Sequence, residues 1–385
     1  MKAPTRKEAN PVGGRAALGR SRRVVVKIGT NALTANTGRV QRAHLQRLAD
    51  QLLAVADARE LIVVSSGAIA LGVERLKLPA RPKDIPGKQA CAAVGQSQLM
   101  RAWEEALAPR VVAQVLLTHA DVQDRRRYLN ARHALERLLE QGVVPVINEN
   151  DTVSVDEIKF GDNDSLAGLV AGLVGADALV ILSDVDGLYD ADPRGNPKAR
   201  RLELVTGVTK AMLAAAGGSG SSVGTGGMAT KLRAAMYANE LGLRCVIAAG
   251  DTPDVLGRVL SGEPLGTLFE PTTTPRHARA AWIAHALKPK GTLVVDAGAR
   301  DAVVSRKKSL LPSGVRAVTG SFSSGDPVDL VVEGGVPFAR GLAAYGADEL
   351  RRLAGKKSAL IEPTLGYRGL DEAVHRDDLT VLEPG

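Results

Sequence analysis

Short apolar runs alternate with longer amphipathic stretches through most of the chain. Val24–Ile28 is β-branched and almost wholly apolar, and Gly29-Thr30-Asn31 breaks it. That pattern predicts a buried strand and a turn. From Gln41 to Ala56, Leu45, Leu48, Leu52 and Val55 recur at spacings of three and four, which predicts an amphipathic helix. Leu61–Val64, Val111–Leu117, Val143–Ile147, Leu179–Leu182 and Cys245–Ala248 repeat the strand signal. Helical stretches such as Tyr128–Glu140 and Thr230–Leu241 separate most of them. Such alternation over roughly 250 residues predicts a mainly parallel sheet covered by helices on both faces. The pattern changes near Phe269. Glu270–Pro275 reads as a linker or edge segment, followed by a helical stretch around 278–286. From Gly291 onward short apolar runs and turn residues predict a small β-rich domain.

Composition narrows the class. The chain has 385 residues, 45% of them hydrophobic and 24% charged, which excludes wholesale disorder and suggests two or three domains. The net charge is +8, but the first 23 residues hold seven cations against Glu8 alone. The remainder is nearly neutral, so the basicity is weak evidence for a nucleic-acid-binding body. This start has no following apolar run and reads as a disordered basic tail rather than a secretory signal. No apolar run approaches the ~20 residues that span a bilayer. Cys91 and Cys245 lie far apart in apolar surroundings. They read as buried inert thiols in a reducing cytosol, with neither metal spacing nor a disulfide framework.

The candidate chemistry lies at strand ends. Lys27 sits within the first strand, where a charge is costly unless it is paired, meets a ligand or snorkels from the strand end. Ser65-Ser66-Gly67-Ala68 and Ser183-Asp184-Val185-Asp186-Gly187 follow apolar runs. The carboxyl ends of parallel strands are where ligands bind, although ordinary turns use the same residues. Gly224-Thr225-Gly226-Gly227-Met228-Ala229-Thr230-Lys231 lets backbone approach a phosphate and adds a cation at a helix start, without the P-loop spacing. A flexible Gly-rich loop would look similar. Asn148-Glu149-Asn150-Asp151 and Gly161-Asp162-Asn163-Asp164 concentrate acids and amides beside apolar residues. They offer acceptors for ammonium groups and amide donors for a carboxylate. A calcium loop does not fit their spacing. No histidine falls within these motifs, so a Ser-His-Asp arrangement has no support.

In this order the motifs resemble the amino acid kinase family from about Arg23 to Glu270. Carrying the likeness are Val-Lys-Ile-Gly-Thr-Asn, Ser-Ser-Gly-Ala-Ile-Ala, Ala-Ala-Val-Gly-Gln, Leu-Asn-Ala-Arg, Val-Pro-Val-Ile-Asn-Glu-Asn-Asp, Phe-Gly-Asp-Asn-Asp, Gly-Leu-Tyr-Asp-Ala-Asp-Pro-Arg and Gly-Thr-Gly-Gly-Met-Ala-Thr-Lys. The region from Gly291 to Thr380 resembles the PUA module that many members append, through Ser-Leu-Leu-Pro-Ser-Gly and Val-His-Arg-Asp-Asp. Ser165 departs from the Asn of some members.

The resemblance implies an α/β/α sandwich at 23–270, a linker at 271–290 and a β-rich PUA domain at 291–385, preceded by the tail at 1–22. It implies a cytoplasmic, homo-oligomeric enzyme that uses ATP and magnesium to phosphorylate the side-chain carboxylate of L-glutamate, opening proline synthesis. Proline would be its inhibitor and a glutamyl phosphate reductase its downstream partner. By similarity Lys27 and Lys231 stabilise the transferring phosphoryl group, and Asp164 holds both lysines. Ser66, Asp151 and Asn163 match substrate-binding positions. Lys27, Ser183, Asp184, Thr225, Gly226, Gly227, Met228, Ala229, Thr230 and Lys231 match nucleotide-binding ones. Metal ligands are not assigned by the likeness.

A family member acting on acetylglutamate, aspartate or a nucleotide is the nearest alternative; the acid-rich Asp151 loop and the appended module favour free glutamate. An RNA-binding protein is the alternative from another class. Against it, residues 286–385 hold 14 Lys or Arg and 13 Asp or Glu, too even a balance to attract phosphates strongly.

Overall fold

The computed structural model describes residues 14–34, 40–154, 163–193, 195–217, 227–274 and 288–382. The chain divides into two compact units, Met1–Gln123 with Ala131–Pro275, and Asp124–Asn130 with Arg276–Gly385.

The larger unit is built on eight strands: β1 (Arg23–Ile28), β2 (Glu60–Ser65), β3 (Val112–Leu117), β4 (Val144–Glu149), β5 (Ala178–Ser183), β6 (Leu204–Thr206), β7 (Arg244–Ala249) and β8 (Thr267–Glu270). Their spatial order is β3-β4-β2-β1-β5-β7-β8-β6. Every pairing is parallel except β7 with β8. Val24, Val25, Val26 and Ile28 of β1 are fully buried, as are most residues of β2, β4, β5 and β7. Continuous β-branched runs therefore form the middle of the sheet, as expected for strands covered on both faces. Lys27 lies beside Val64 of β2 and Ile181 of β5. From β1 the chain first builds towards β2, β4 and β3, then returns to place β5 on the other side. The β1–β5 boundary is thus the switch point, outside whose carboxyl ends a crevice opens.

The helices are α1 (Arg15–Leu18), α2 (Thr30–Thr34), α3 (Arg42–Ala56), α4 (Ala68–Arg75), α5 (Ile85–Ala106), α6 (His119–Gln123), α7 (Arg125–Glu140), α8 (Asn163–Leu173), α9 (Lys210–Gly217), α10 (Met228–Glu240) and α11 (Val255–Leu260). Two helix pairs set the geometry of the crevice through missing side chains. A Cβ on Gly72 of α4 would lie 1.8 Å from the Cys91 carbonyl oxygen of α5, and one on Gly95 equally close to that of Ala68. Backbone therefore packs on backbone. On the other side of the switch, Gly168 of α8 faces Ala234 of α10, where a Cβ would sit 3.3 Å from the Ala234 carbonyl. Small residues let α8 and α10 approach with their first turns adjacent.

One reading needs correction and another needs extending. Residues 14–22 are not part of a disordered tail. Leu18 is fully buried in the core cluster with Leu256, Val259 and Leu260. The Arg15 guanidinium donates to the carbonyls of Glu263, Leu265, Glu203 and Gly266 at 2.7–3.1 Å. Counting charge hid this, because the guanidinium serves backbone acceptors, not solvent. Residues 1–13 lie outside the described residues. The sheet also continues through β6 and β8, three and four residues long, too short for a periodicity to register. The helical stretch expected at 278–286 lies outside the described residues.

The smaller unit holds β9 (Gly291–Val295), β10 (Val315–Gly320), β11 (Pro327–Val332), β12 (Ala339–Leu342) and β13 (Leu379–Val381), in the order β10-β9-β11-β12-β13. The β9–β11 pair is parallel, the rest antiparallel. Three short α-helices, α12 (Ala297–Val304), α13 (Ala347–Leu353) and α14 (Ile361–Leu365), cover a core of Leu293, Val328, Leu330, Leu350 and Val374. The turn-rich sequence predicted the strands and understated these helices.

Candidate functional site

Four strand ends and two helix starts converge at the switch point. The Asp164 carboxylate, in the first turn of α8, is completely buried. Its Oδ1 lies 2.5 Å from Lys27 Nζ, and its Oδ2 lies 3.1 Å from Lys231 Nζ. Both lysines are themselves buried. A buried carboxylate is tolerated only when it is paired and hydrogen-bonded; here the helix N-terminus adds further favourable potential. Two ammoniums on one carboxylate leave the cluster with excess positive charge, aimed at the crevice. The Thr230 hydroxyl lies 3.1 Å from the same Oδ2 and 2.7 Å from the Gly227 carbonyl.

A neutral network begins one residue earlier. Asn163 Nδ2 donates to Ser66 Oγ at 2.8 Å and to Asn148 Oδ1 at 2.9 Å. Asn148 Nδ2 donates to Gln96 Oε1 at 2.9 Å. Gln96 follows Gly95, so the tight α4–α5 contact positions this amide. Gly67, which precedes α4, has φ of +114°, a conformation that favours glycine. It turns the chain from Ser66 directly into the helix. Gln89, also on α5, donates to the Asp151 carbonyl at 2.9 Å.

Asp151 is buried beside Glu149. Burial first, and then the Glu149 charge, push the Asp151 carboxyl up to about 6; Arg81 opposes them. Asp184 behaves oppositely. Burial raises it, but hydrogen bonds from Asn31 and Ser183, its own backbone N–H and the Lys231 charge together hold it below the ordinary carboxylate value. Asn31 Nδ2 reaches Asp184 Oδ2 at 2.9 Å and Ser183 Oγ reaches Oδ1 at 2.9 Å. The Asn31 bond ties the start of α2, which follows β1, to the end of β5 across the switch point.

The structure therefore brings Lys27, Asp164, Lys231 and Thr230 into one cluster. It brings Ser66 and Asn163 into a second, and sets Ser183 with Asp184 at the end of β5. Gly227 caps α10 with extended backbone, and Met228 and Ala229 open that helix. Thr225 and Gly226 lie outside the described residues, as does 155–162. Asn31, Gln96 and Asn148 were quoted within motifs but not singled out. Their signal was an amide beside an apolar run, which becomes meaningful only when the partner amide is known. His119 lies outside the motifs, and its Nδ1 stands 3.9 Å from Glu149 Oε1. Both cysteines are buried, and burial raises both thiols, which disfavours the nucleophilic thiolate. Among the described residues no group of three His, Cys, Asp or Glu could hold a metal ion, and no helix is long and apolar enough to cross a membrane.

The amino acid kinase family model matches residues 22–249, and the PUA domain model matches 291–365. Over 371 residues the chain is 67% identical to the glutamate 5-kinase of Myxococcus xanthus (strain DK1622), covering 96% of this chain and 98% of that one. It is 53% identical over 376 residues to the glutamate 5-kinase of Anaeromyxobacter dehalogenans (strain 2CP-C), covering 96% and 99%. The glutamate 5-kinase of Geobacter sp. (strain M21) is 50% identical over 368 residues, covering 95% and 99%. The match spans the strands and helices that build the crevice, and the chain belongs to the amino acid kinase family, a family of phosphotransferases, with a PUA domain following the kinase domain.

Proposed function

We propose that this chain transfers the γ-phosphoryl group of ATP to the side-chain carboxylate of L-glutamate, forming L-glutamyl 5-phosphate for proline synthesis. The observation that carries the reading is the buried Asp164 carboxylate held between the ammoniums of Lys27 and Lys231. Phosphoryl transfer needs little covalent chemistry from a protein; it needs positioning and charge stabilisation. The acceptor carboxylate has a reference pKa of about 4.3. It is already ionised at neutral pH, so no general base is required.

In this reading Ser66, Asn163 and Asp151 hold the amino acid, Asp151 taking its ammonium group. Lys27 and Lys231 meet the transferring phosphoryl group, where fixed positive charge acts most strongly as negative charge spreads in the transition state. Asp164 keeps the two ammoniums close despite their repulsion. Ser183, Asp184 and the start of α10, together with Thr225 and Gly226, hold the nucleotide. The donor set fits magnesium carried on the nucleotide phosphates, since Asp164 and Asp184 are already engaged by side chains. The ion would offset charge on the phosphate oxygens. Proline, sharing the ammonium and carboxylate of glutamate, would compete at Asp151. The mixed anhydride product is prone to hydrolysis, so a reductase that consumes it promptly would follow. We place the domain boundaries at 14–270 and 291–385, and the enzyme in the cytoplasm as a homo-oligomer.

Hydroxamate trapping of the acyl phosphate with glutamate, ATP and magnesium, run beside aspartate and N-acetylglutamate, tests the reading. Product with glutamate alone is expected. Preference for either other acceptor would reject it.

A further inference from the structure

A second set of buried charges lies at the ends of β3 and β4, beyond the lysine–aspartate cluster. Glu149 closes β4, in register with Leu117 of β3. Its side chain is completely buried. Oε1 accepts from Ser154 Oγ at 2.6 Å, while Oε2 meets no hydrogen-bond donor among the described residues. Two residues on, Asp151 is only 6% exposed, and its Oδ1 likewise meets none there. Two neighbouring carboxylates thus keep an oxygen each buried without a donor among the described residues. An unsatisfied buried polar group is costly, and more so when charged.

Among the described residues, the charges around them offset this only in part. His119 Nδ1, at the start of α6, stands 3.9 Å from Glu149 Oε1, beyond hydrogen-bond reach, and is a cation only when protonated. Arg81 acts on Asp151, but more weakly than burial and Glu149 do. Ser154 contributes one neutral donor. What suits two carboxylate oxygens lacking donors is a compact cation carrying several N–H groups. Lysine-type ammoniums carry three, as does the α-ammonium of an amino acid.

We propose that Glu149 joins Asp151 in receiving the α-ammonium group of the acceptor, so that the site selects amino acids whose amino group is free and charged. This rests on the glutamate reading and extends it to a residue that reading did not use. An N-acylated acceptor presents one amide N–H and no charge. It would leave a carboxylate oxygen buried and unpaired, the arrangement by which polar sites reject near-isosteres most strongly. Burial first and then the Glu149 charge disfavour ionisation of Asp151, and an ammonium held by both carboxylates would offset both effects.

The test compares wild type, Glu149→Gln and Ser154→Ala in the full-length protein, with glutamate and N-acetylglutamate, across pH 5 to 8. Gln keeps the shape and the acceptor for Ser154 while removing the charge. Glu149→Gln should raise the glutamate KM by about 10- to 100-fold, the worth of one charge-assisted hydrogen bond. Its kcat and ATP KM should change by less than about twofold, because the lost contact is uniform binding. The acidic inflection of kcat/KM for glutamate should move to lower pH, since Asp151 no longer faces a like charge. Ser154→Ala should leave the KM and the inflection near wild type. An unmoved inflection with near-wild-type KM in Glu149→Gln would overturn the inference, as would Ser154→Ala reproducing the defect, which would make Glu149 a mere anchor. Absence of glutamate hydroxamate from the wild type would instead overturn the glutamate reading, and this inference with it.

Discussion

Asp164 and Asp151 are both buried carboxylates at the carboxyl end of one sheet, and the fold treats them oppositely. Asp164 has two ammoniums within 3.1 Å, supplied by β1 and α10. Asp151 has a carboxylate neighbour in Glu149, and its own carboxyl is pushed up to about 6. Burial is common to both, but their neighbours differ: Asp164 meets two ammoniums, whereas at Asp151 burial first and then the Glu149 charge disfavour ionisation. Asp164 has both of its ammonium partners within the protein. The Asp151 cluster carries surplus negative charge. A substrate with an ammonium at one end and a carboxylate accepting a phosphoryl group at the other matches that division.

The largest effect is expected from breaking the Asp164 cluster. Asp164→Asn would leave Lys27 and Lys231 facing each other in a buried site. Losing one partner of a buried ion pair destabilises by about 3–5 kcal/mol, which urea denaturation would register. A loss under about 1 kcal/mol would mean that water, not Asp164, compensates the lysines, and the contrast with Asp151 would dissolve. Next comes Lys231→Met. Here Asp164 keeps Lys27, so the protein should fold, while kcat falls about 10²–10³-fold, the usual consequence of losing one transition-state contact. The glutamate KM should move far less. Near-wild-type turnover would remove Lys231 from the chemistry.

The Asp151 cluster is addressed by pH. Asp151 must ionise to accept an ammonium, so kcat/KM for glutamate should rise with pH through about 6 and then level off; Asp151→Asn should weaken glutamate use and abolish that inflection. Stability runs the other way. The folded carboxyl titrates at about 6 against an ordinary 3.8, so between those values the native state binds more protons than the unfolded one. Stability of the ligand-free protein should therefore fall as pH rises from about 4 to about 6, and Asp151→Asn should lessen that fall. An unchanged slope would show that Asp151 ionises as freely as an exposed acid.

The difference between the two clusters was only partly legible in the sequence. Lys27 stood out because a cation in a β-branched run needs a reason, and Lys231 because glycines preceded it. That both share Asp164 depended on a contact between α8 and α10, set by Gly168 and Ala234, and no local pattern encodes it. Glu149 and Asp151 were legible as acids after an apolar strand. That each keeps one oxygen without a donor among the described residues was not, because satisfaction is a property of three-dimensional neighbours. The alternating strands and helices were legible because buried strands are long and β-branched. β6 and β8 escaped through brevity, and Arg15 escaped because a basic residue near a chain end looks solvated until its carbonyl acceptors are found.

The smallest expected effect separates charged from neutral support of Asp164. The Thr230 hydroxyl lies 3.1 Å from Asp164 Oδ2 but 2.7 Å from the Gly227 carbonyl. A hydroxyl has one proton to donate, and the shorter contact is the better hydrogen bond. With the proton committed to Gly227 in the first turn of α10, Thr230 adds little to Asp164, which relies on its two ammoniums. Thr230→Val removes the hydroxyl while keeping the branched shape. It should cost about 1 kcal/mol, the ordinary worth of a neutral hydrogen bond, and leave kcat within about threefold. A stability loss approaching that of Asp164→Asn would mean that the proton points at Oδ2 and that a neutral donor holds the cluster together. Asp164 and Asp151 would then differ in their hydrogen bonds more than in the charges around them.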